Sequence, residues 1–198
     1  MPKGIMLTPE QQTQRREEIV AIALRLIDEN GFQKTSMREI AEMANMGKSS
    51  LYDFFKTKDE IIVYAVEQEI ISAAQEIQKI ASDGSSSPEQ RLRKIMFRHH
   101  EHTRQNQNSL MWLNAEITHL NEEYQKRLHT VRHAYQDIVQ SVIEDGITSG
   151  IFRKTDTVLT ARLLINSTLS IIFTSRPSSD LETMLEETIR IFLRGIMA

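Results

Sequence analysis

Residues 36–58 read SMREIAEMANMGKSSLYDFFKTK. The stretch starts with Ser36, followed three positions later by Glu39, and this S-x-x-E spacing is the capping box that opens a helix. Asn45 and Gly47 then interrupt the helical pattern, and asparagine tolerates the left-handed backbone conformation of a tight turn. A second short helix follows. The stretch therefore predicts two short helices joined by a turn of three or four residues.

The second of these helices, from about Lys48 to Phe55, has one apolar and one polar face. Leu51 and Phe55 stand four positions apart and can pack on a core, which leaves the first turn to face outward. A helix-turn-helix that reads the major groove has this division. Hydroxyl and lysine side chains can bond base edges or phosphates, and a lysine at the start of the next helix can clamp a phosphate. The residues that we predict to contact DNA are Ser36, Lys48, Ser49, Ser50, Tyr52, Phe54 and Lys58.

The same segment resembles the DNA-binding signature of the TetR family, the tetracycline-repressor-like transcription regulators. The resemblance runs over roughly residues 15–65, and its most specific part is similar to the family's L-Y-x-Y-F-x-x-K pattern. The matching residues here are Leu51, Tyr52, Phe55 and Lys58. The resemblance implies a nine-helix homodimer whose last two helices form a four-helix bundle with the partner, and whose core helices enclose an inducer pocket.

Three positions depart from the family's pattern: Asn45 replaces glycine, Gly47 replaces a capping serine or threonine, and Phe54 replaces tyrosine. Glycine at a cap costs only a few tenths of a kcal/mol, so we expect the fold to survive. Phe54 has no hydroxyl for a phosphate, and operator contacts are expected to differ there. Asp53 is predicted to point aside or to pair with Lys56, rather than to accept from a cytosine amine.

Composition favours an all-α fold, since 198 residues contain four prolines and seven glycines. The absence of cysteine excludes disulfides and thiolate metal sites. No run of about 18 apolar residues and no apolar signal segment occurs, which predicts a cytoplasmic protein without a membrane partner. A net charge of −3 argues against non-specific coating of nucleic acid, so DNA contacts must be local. The basic residues that are either further DNA contacts or solvated surface are Lys3, Arg15, Lys34 and Lys56.

Capping and breaking signals divide the chain into three short helices and six longer ones. Thr57 with Glu60 and Ser87 with Gln90 form further capping boxes. We predict a helix from Pro9 to Gly31, the short pair described above, and longer helices at about 58–82, 88–105, 109–119, 121–147, 157–174 and 180–196, with a break marked by Gly146 and Gly150. The predicted domains are a DNA-binding domain at 1–62 and an effector-binding and dimerisation domain at 63–198.

The helix at 88–105 places a polar residue, His99, in an apolar stripe. His99 either faces a pocket or bonds a neighbouring carbonyl. Methionine beside tryptophan on the next helix suits an apolar or amphipathic effector, although core packing explains both equally well. Asn166 faces a pocket, a dimer seam or another buried polar group. The predicted effector-binding residues are Ile95, Met96, His99, Thr103, Met111, Trp112, Asn114 and Asn166.

The helices at about 157–174 and 180–196 carry more apolar surface than one chain can cover, which predicts a homodimer through them. Two recognition helices would then read a near-palindromic operator with half-sites about 34 to 36 Å apart, or a multiple of that. We predict a repressor that a small effector releases from this operator, with the helix at 58–82 transmitting the change.

The sequence leaves two alternatives open. In the first, the protein is an activator, or a regulator that acts without a small ligand. In the second, it is an all-α enzyme or metal-binding protein that uses its six histidines. His129 and His133 lie four positions apart on one helix face, but position 130 is threonine, so the H-E-x-x-H zinc motif is absent. No catalytic motif is found, and we predict neither an enzyme nor a cofactor or metal site.

Overall fold

Helices account for the regular structure of the described chain. The computed structural model describes residues 7–108, 111 and 117–198. Within them lie nine α-helices, a 3-10 turn at Ile117–His119, and an isolated bridge between Phe152 and Met197. The α-helices are α1 (Pro9–Asn30), α2 (Met37–Met43), α3 (Lys48–Phe54), α4 (Lys58–Ala81), α5 (Pro88–Gln105), α6 (Glu122–Thr148), α7 (Thr157–Ser167), α8 (Leu169–Ile172) and α9 (Leu181–Ile196). The all-α prediction is confirmed. No described helix is long and apolar enough to span a bilayer.

The chain divides into two units, Met1–Ala65 and Val66–Ala198. In the first unit, α1, α2, α3 and the start of α4 surround one hydrophobic core. Its buried residues are Ile19, Ala23, Leu26, Ile40, Ala41, Leu51, Phe55 and Ile61. Asn45 in the turn between α2 and α3 has φ 49°, the left-handed conformation that its sequence position predicts. The Ser36 and Glu39 capping box is also present.

The second unit contains the rest of α4 and the helices α5 to α9 around a larger core. The predicted box of Ser87 and Gln90 opens α5, with Pro88 as the first helical residue. Asn121 caps α6 by accepting the N–H of Tyr124 at 2.8 Å. The side chains of Asp156 and Asp180 cap α7 and α9 in the same way. Short polar caps therefore define the helix starts in both units.

Three details of the predicted helix ends are wrong. Thr57 accepts the N–H of Glu60 at 3.0 Å, but the Glu60 carboxylate accepts the N–H of Lys56 and leaves the second half of the box unmade. Gly146 lies inside α6 rather than at a break, and Gly150, with φ 75°, follows the helix end. The helix predicted at 157–174 is interrupted at Thr168, which separates α7 from α8. Of the helix predicted at 109–119, residues 109–110 and 112–116 lie outside the described part, and 117–119 form the 3-10 turn.

Candidate functional sites

Helix α3 presents a polar first turn on the surface of the first unit. Lys48, Ser49 and Ser50 are exposed, whereas Leu51 is fully buried in the core and holds the helix in place. Tyr52 is half-buried, and the Lys48 ammonium lies 5.8 Å from the centre of its ring. Gly47 at the N-cap contributes no side-chain hydrogen bond, as the sequence implies. The polar residues predicted from the sequence to face DNA therefore share one exposed surface.

Ser36 and Lys58 both make hydrogen bonds within the first unit, and the bond of Lys58 was not predicted from the sequence. Ser36 is exposed, and its hydroxyl donates to the Glu39 carboxylate at 2.8 Å. The hydrogen bonds from Ser36 lower the pKa of Glu39. The Lys58 ammonium donates to the carbonyl of Phe32 at 2.6 Å and lies 4.4 Å from the centre of that ring. Lys58 therefore connects the start of α4 to the segment after α1. Since one of its three N–H donors is used for this bond, no more than two can donate to a phosphate.

Phe54 and Arg15 both have contacts within the first unit. Phe54 is half-buried and packs against the core of this unit, so only the exposed part of its ring can contact DNA. Arg15 donates to the carbonyl of Ala44 at 2.9 Å and thereby braces the turn between α2 and α3. Asp53 is exposed and forms no ion pair among the described residues, since the Lys56 ammonium donates to the Tyr52 carbonyl instead.

The second unit encloses a cavity of about 280 Å³ between α4, α5, α6 and α7. This is close to the lower limit for small-molecule sites, which begin at about 300 Å³. Of the predicted effector-binding residues, His99, Thr103 and Asn166 line the cavity. Ile95 and Met96 do not line it, because both are fully buried in the core on the neighbouring part of the α5 stripe.

The remaining predicted effector residues lie away from this cavity or outside the described chain. Met111 is 59% exposed and does not line the cavity. Trp112 and Asn114 lie outside the described residues. Other residues line the cavity but were not predicted from the sequence to bind an effector. In chain order they are Val66, Glu69, Ile70, Ala73, His102, Asn106, Arg132, Tyr135, Gln136, Arg162, Ile165 and Leu169. For Tyr135 a signal existed, since it stands in the apolar stripe of α6.

His99 connects three helices at the cavity wall. Its Nδ1 lies 2.8 Å from the Tyr135 hydroxyl on α6, and its Nε2 lies 3.1 Å from the Ile165 carbonyl on α7. A carbonyl only accepts, so Nε2 carries the proton and donates to Ile165. Nδ1 then accepts from the Tyr135 hydroxyl. Burial lowers the pKa of His99 to about 4 and raises that of Tyr135, so both groups are neutral at neutral pH.

This environment makes the stability of the second unit depend on pH. Folding lowers the pKa of His99 from 6.5 to about 4. Between these pH values the imidazole is protonated in the unfolded chain and neutral in the folded chain. The stabilisation is complete above pH 6.5 and is lost as the pH falls toward 4. Between pH 6.5 and 5 we expect His99 to account for a loss of about 2 kcal/mol. Urea unfolding of wild type and His99→Gln at both pH values measures this difference, and equal pH slopes would contradict it.

Arg132 on α6 and Arg162 on α7 also line the cavity, and both are exposed. Neither arginine forms an ion pair with an acidic side chain of the described chain. Apolar side chains from α4, namely Val66, Ile70 and Ala73, line the cavity as well. The cavity therefore combines an apolar wall with the side chains of Arg132, Arg162 and Glu69, and the two guanidinium groups, which have no ion pair in the described chain, suit an anion.

The histidines do not assemble a metal centre in the described part of the chain, where no group of three or more potential ligands is found. The rings of His129 and His133 lie 6.0 Å apart on the exposed side of α6, as their spacing predicts.

Both units of the chain are similar to known proteins. Residues 19–65 match the family described as bacterial regulatory proteins, tetR family, and residues 85–174 match the tetracyclin repressor-like C-terminal domain. Among curated proteins, the chain is 27% identical over 179 residues to the HTH-type transcriptional regulator YhgD of Bacillus subtilis, covering 86% of this chain and 90% of that one. It is 24% identical over 193 residues to the HTH-type transcriptional repressor KstR2 of Mycolicibacterium smegmatis, covering 96% and 94%.

Among solved structures, the fold is similar to that of the regulator FadR from Bacillus subtilis in complex with stearoyl-CoA. The TM-score is 0.74 at 18% identity, over 91% of this chain and 98% of that one. The helix-turn-helix with its exposed recognition turn thus defines a DNA-binding transcription regulator. The two matched regions together cover more than half of the chain, and the chain belongs to the TetR family.

Proposed function

We propose that the protein is a homodimeric repressor that binds a near-palindromic operator and leaves it when an amphipathic effector fills the cavity of the second unit. The observation that carries this proposal is the exposed polar first turn of α3 within the segment that matches the family's DNA-binding region. The first unit is proposed as the DNA-binding domain, and the second as the effector-binding and dimerisation domain. The proposed boundary at 62/63 lies within α4, three residues before the boundary between the units. An operator target implies action in the cytoplasm.

The proposed DNA contacts are Ser36, Lys48, Ser49, Ser50, Tyr52, Phe54 and Lys58. The two serines of α3 are proposed to read base edges, while Tyr52 and the free donors of Lys58 position the phosphates. Selection of bound duplexes from a random library at two salt concentrations tests this directly. Enrichment of a palindrome whose affinity falls steeply with salt is the expected result. Failure to enrich any sequence, with protein shown by mass spectrometry to be free of bound ligand, would refute the proposal.

The division of labour between Tyr52 and Ser50 predicts different outcomes for two substitutions. Tyr52→Phe removes one hydroxyl and is expected to weaken all duplexes by a similar factor. Ser50→Ala is expected to relax the preference at one base position by about 10-fold, with an unchanged salt dependence. Binding assays on the selected operator and its single-base variants measure both effects. Ser72→Ala, on an exposed position of α4 in the second unit, is the matched control.

The proposed dimer rests on exposed apolar side chains of α7 and α9. Leu159 and Leu163 on α7 are 50% and 57% exposed, and Ile191 on α9 is 62% exposed. Because large apolar side chains on two helices are exposed to solvent to this extent, we expect the same surface of a second copy of the chain to cover them. Such a dimer would present two copies of α3 to the two halves of a palindrome.

The effector is proposed to be an amphipathic anion of the acyl-CoA class. The apolar wall from α4 suits an acyl chain, and Arg132 and Arg162 suit phosphate or carboxylate groups. FadR, which has a similar fold, was crystallised with stearoyl-CoA. Titrating the operator complex with stearoyl-CoA, octanoyl-CoA and free CoA tests the class. Coupling of about 1 to 3 kcal/mol, a 5- to 150-fold loss of operator affinity, is expected with an acyl-CoA and not with free CoA.

A further inference from the structure

The hydrogen-bonding capacity of His99 is fully used in the described structure. A neutral imidazole has one N–H donor and one acceptor nitrogen. The acceptor is taken by the Tyr135 hydroxyl and the donor by the Ile165 carbonyl. His99, Tyr135 and Ile165 all line the cavity. A polar atom of an effector that reaches the ring must therefore displace one of these two partners.

The two partners differ in what they lose. The Tyr135 side chain is buried, with 6% exposure, and its O–H would be left without an acceptor if the bond to His99 broke. A buried unsatisfied donor costs about 1 to 3 kcal/mol. The Ile165 carbonyl also accepts from the Thr168 hydroxyl at 3.3 Å, so it keeps a donor when His99 leaves. The hydrogen bond from His99 to Ile165 is therefore the one that an effector displaces at the lower cost.

We propose that His99 is a specificity-determining residue of the cavity. When the effector binds, the Nε2–H of His99 stops donating to the Ile165 carbonyl and donates instead to an acceptor oxygen of the effector, such as a thioester carbonyl. Tyr135 is a positioning residue, because its O–H donates to Nδ1 and holds the imidazole ring in its orientation at the cavity wall. The inference rests on the proposed effector function and names the part of the effector that is read. No covalent step is involved.

The same exchange links the cavity to the apolar face proposed for dimerisation. Ile165 lies near the end of α7, three residues before the interruption at Thr168. Leu163, an exposed residue of that face, lies two positions before Ile165. Loss of the His99 bond removes one hydrogen bond between α5 and this end of α7, a helix that contributes to the proposed partner surface.

A matched pair of probes tests the transfer. Octanoyl-CoA and its thioether analogue octyl-CoA differ in the carbonyl oxygen, so the ratio of their Kd values isolates the bond in question. Because the bond to Ile165 is exchanged rather than added, wild type is expected to bind the two probes with similar Kd values. His99→Leu leaves the thioester carbonyl without a donor and should favour octyl-CoA by about 10-fold, the cost of one buried unsatisfied acceptor, and His99→Gln, whose amide retains an N–H donor, should recover part of this loss. His133→Gln, on the exposed face of α6, should leave the Kd ratio as in wild type.

A spectroscopic readout on the wild-type protein covers the case in which a variant does not fold. In protein labelled with ¹⁵N-histidine, His99 should show the Nε2–H tautomer, and octanoyl-CoA should shift its Nε2–H signal more than octyl-CoA does. Tyr135→Phe removes the hydroxyl that donates to Nδ1 and orients the ring, and it should make octanoyl-CoA bind more weakly relative to octyl-CoA. The same Kd ratio in wild type and His99→Leu, or no binding of either probe to wild type, would overturn the inference.

These outcomes separate this inference from the proposed function. A Kd ratio that depends on His99, without release of the operator, would uphold the inference and reject effector-driven release. Release of the operator together with a Kd ratio that His99→Leu leaves unchanged would uphold release and reject the role of His99. Operator selection by the protein without ligand tests DNA binding independently of either result.

Discussion

Replacing Gly146 with alanine is expected to destabilise the second unit by about 3 kcal/mol, near the upper end of overpacking effects. Gly146 lies inside α6, where alanine would ordinarily stabilise the helix. A Cβ atom at this position, however, would lie 2.0 Å from Cδ2 of Phe152, whose ring is 2% exposed in the core. The backbone N–H of Phe152 also donates to the Gly146 carbonyl at 2.9 Å, so the ring is held over the glycine. Urea unfolding monitored by circular dichroism measures the change.

Gly195→Ala provides the matched control for Gly146. Gly195 also lies in a helix, α9, but a Cβ atom there would meet no atom within 4 Å, and alanine should be neutral or stabilising by up to about 1 kcal/mol. Phe152→Ala alone should cost about 3 to 5 kcal/mol because it empties a core site. Combined with Gly146→Ala it should cost much less than the sum, because the clash is gone. Additive losses would show that the close approach of Gly146 and Phe152 is not the cause.

Arg127→Ala is expected to cost about 3 kcal/mol, because it leaves the Glu67 carboxylate without its counter-ion in a nearly buried position. Arg127 on α6 binds Glu67 on α4 through two hydrogen bonds, with Nε 2.9 Å from Oε1 and a terminal nitrogen 2.5 Å from Oε2. The side chain of Glu67 is 11% exposed and that of Arg127 is 31% exposed. The guanidinium also lies 5.6 Å from the centre of the Tyr124 ring. Equilibrium unfolding measures the loss.

A double-variant cycle distinguishes the unpaired charge from lost packing. Glu67→Gln alone is expected to cost less than Arg127→Ala, because the partly exposed guanidinium can turn to water. In the Arg127→Ala background, Glu67→Gln should restore stability, since it removes the buried charge that the first substitution stranded. Arg38→Ala, in an exposed pair with Glu42, should change stability by less than about 0.5 kcal/mol. If Glu67→Gln worsens the Arg127→Ala variant, packing rather than charge explains the loss.

Local signals predicted the first unit well. Ser36 with Glu39, the left-handed Asn45 and the buried Leu51 depend on neighbours within a few positions, and short-range spacing specifies them. The fate of Lys58 could not be predicted in this way, because its acceptor is the carbonyl of Phe32, 26 positions earlier. The packing of Phe54 against the core was not predicted for a related reason, since helical spacing alone does not determine how far the core reaches around α3.

The lining of the cavity was predicted only in part. The α5 stripe correctly grouped His99 and Thr103, but it also included Ile95 and Met96, which the surrounding helices bury. Periodicity identifies the inward face of a helix without showing where that face meets another side chain and where it meets an empty space. The contributions of α4, α6 and α7 to the cavity depend on contacts between helices that are far apart in the chain.

By itself, the sequence determined the all-α fold, the family, the recognition turn of α3 and most helix boundaries, because capping, turn and periodicity signals act over a few residues. Only the tertiary structure decided that Lys58 bonds Phe32, that Gly146 makes room for Phe152, and that His99 joins Tyr135 to Ile165 at a cavity. Each of these depends on a long-range approach of two side chains or backbones. A one-dimensional pattern contains the residue types for such contacts, but close packing in three dimensions selects the pairs.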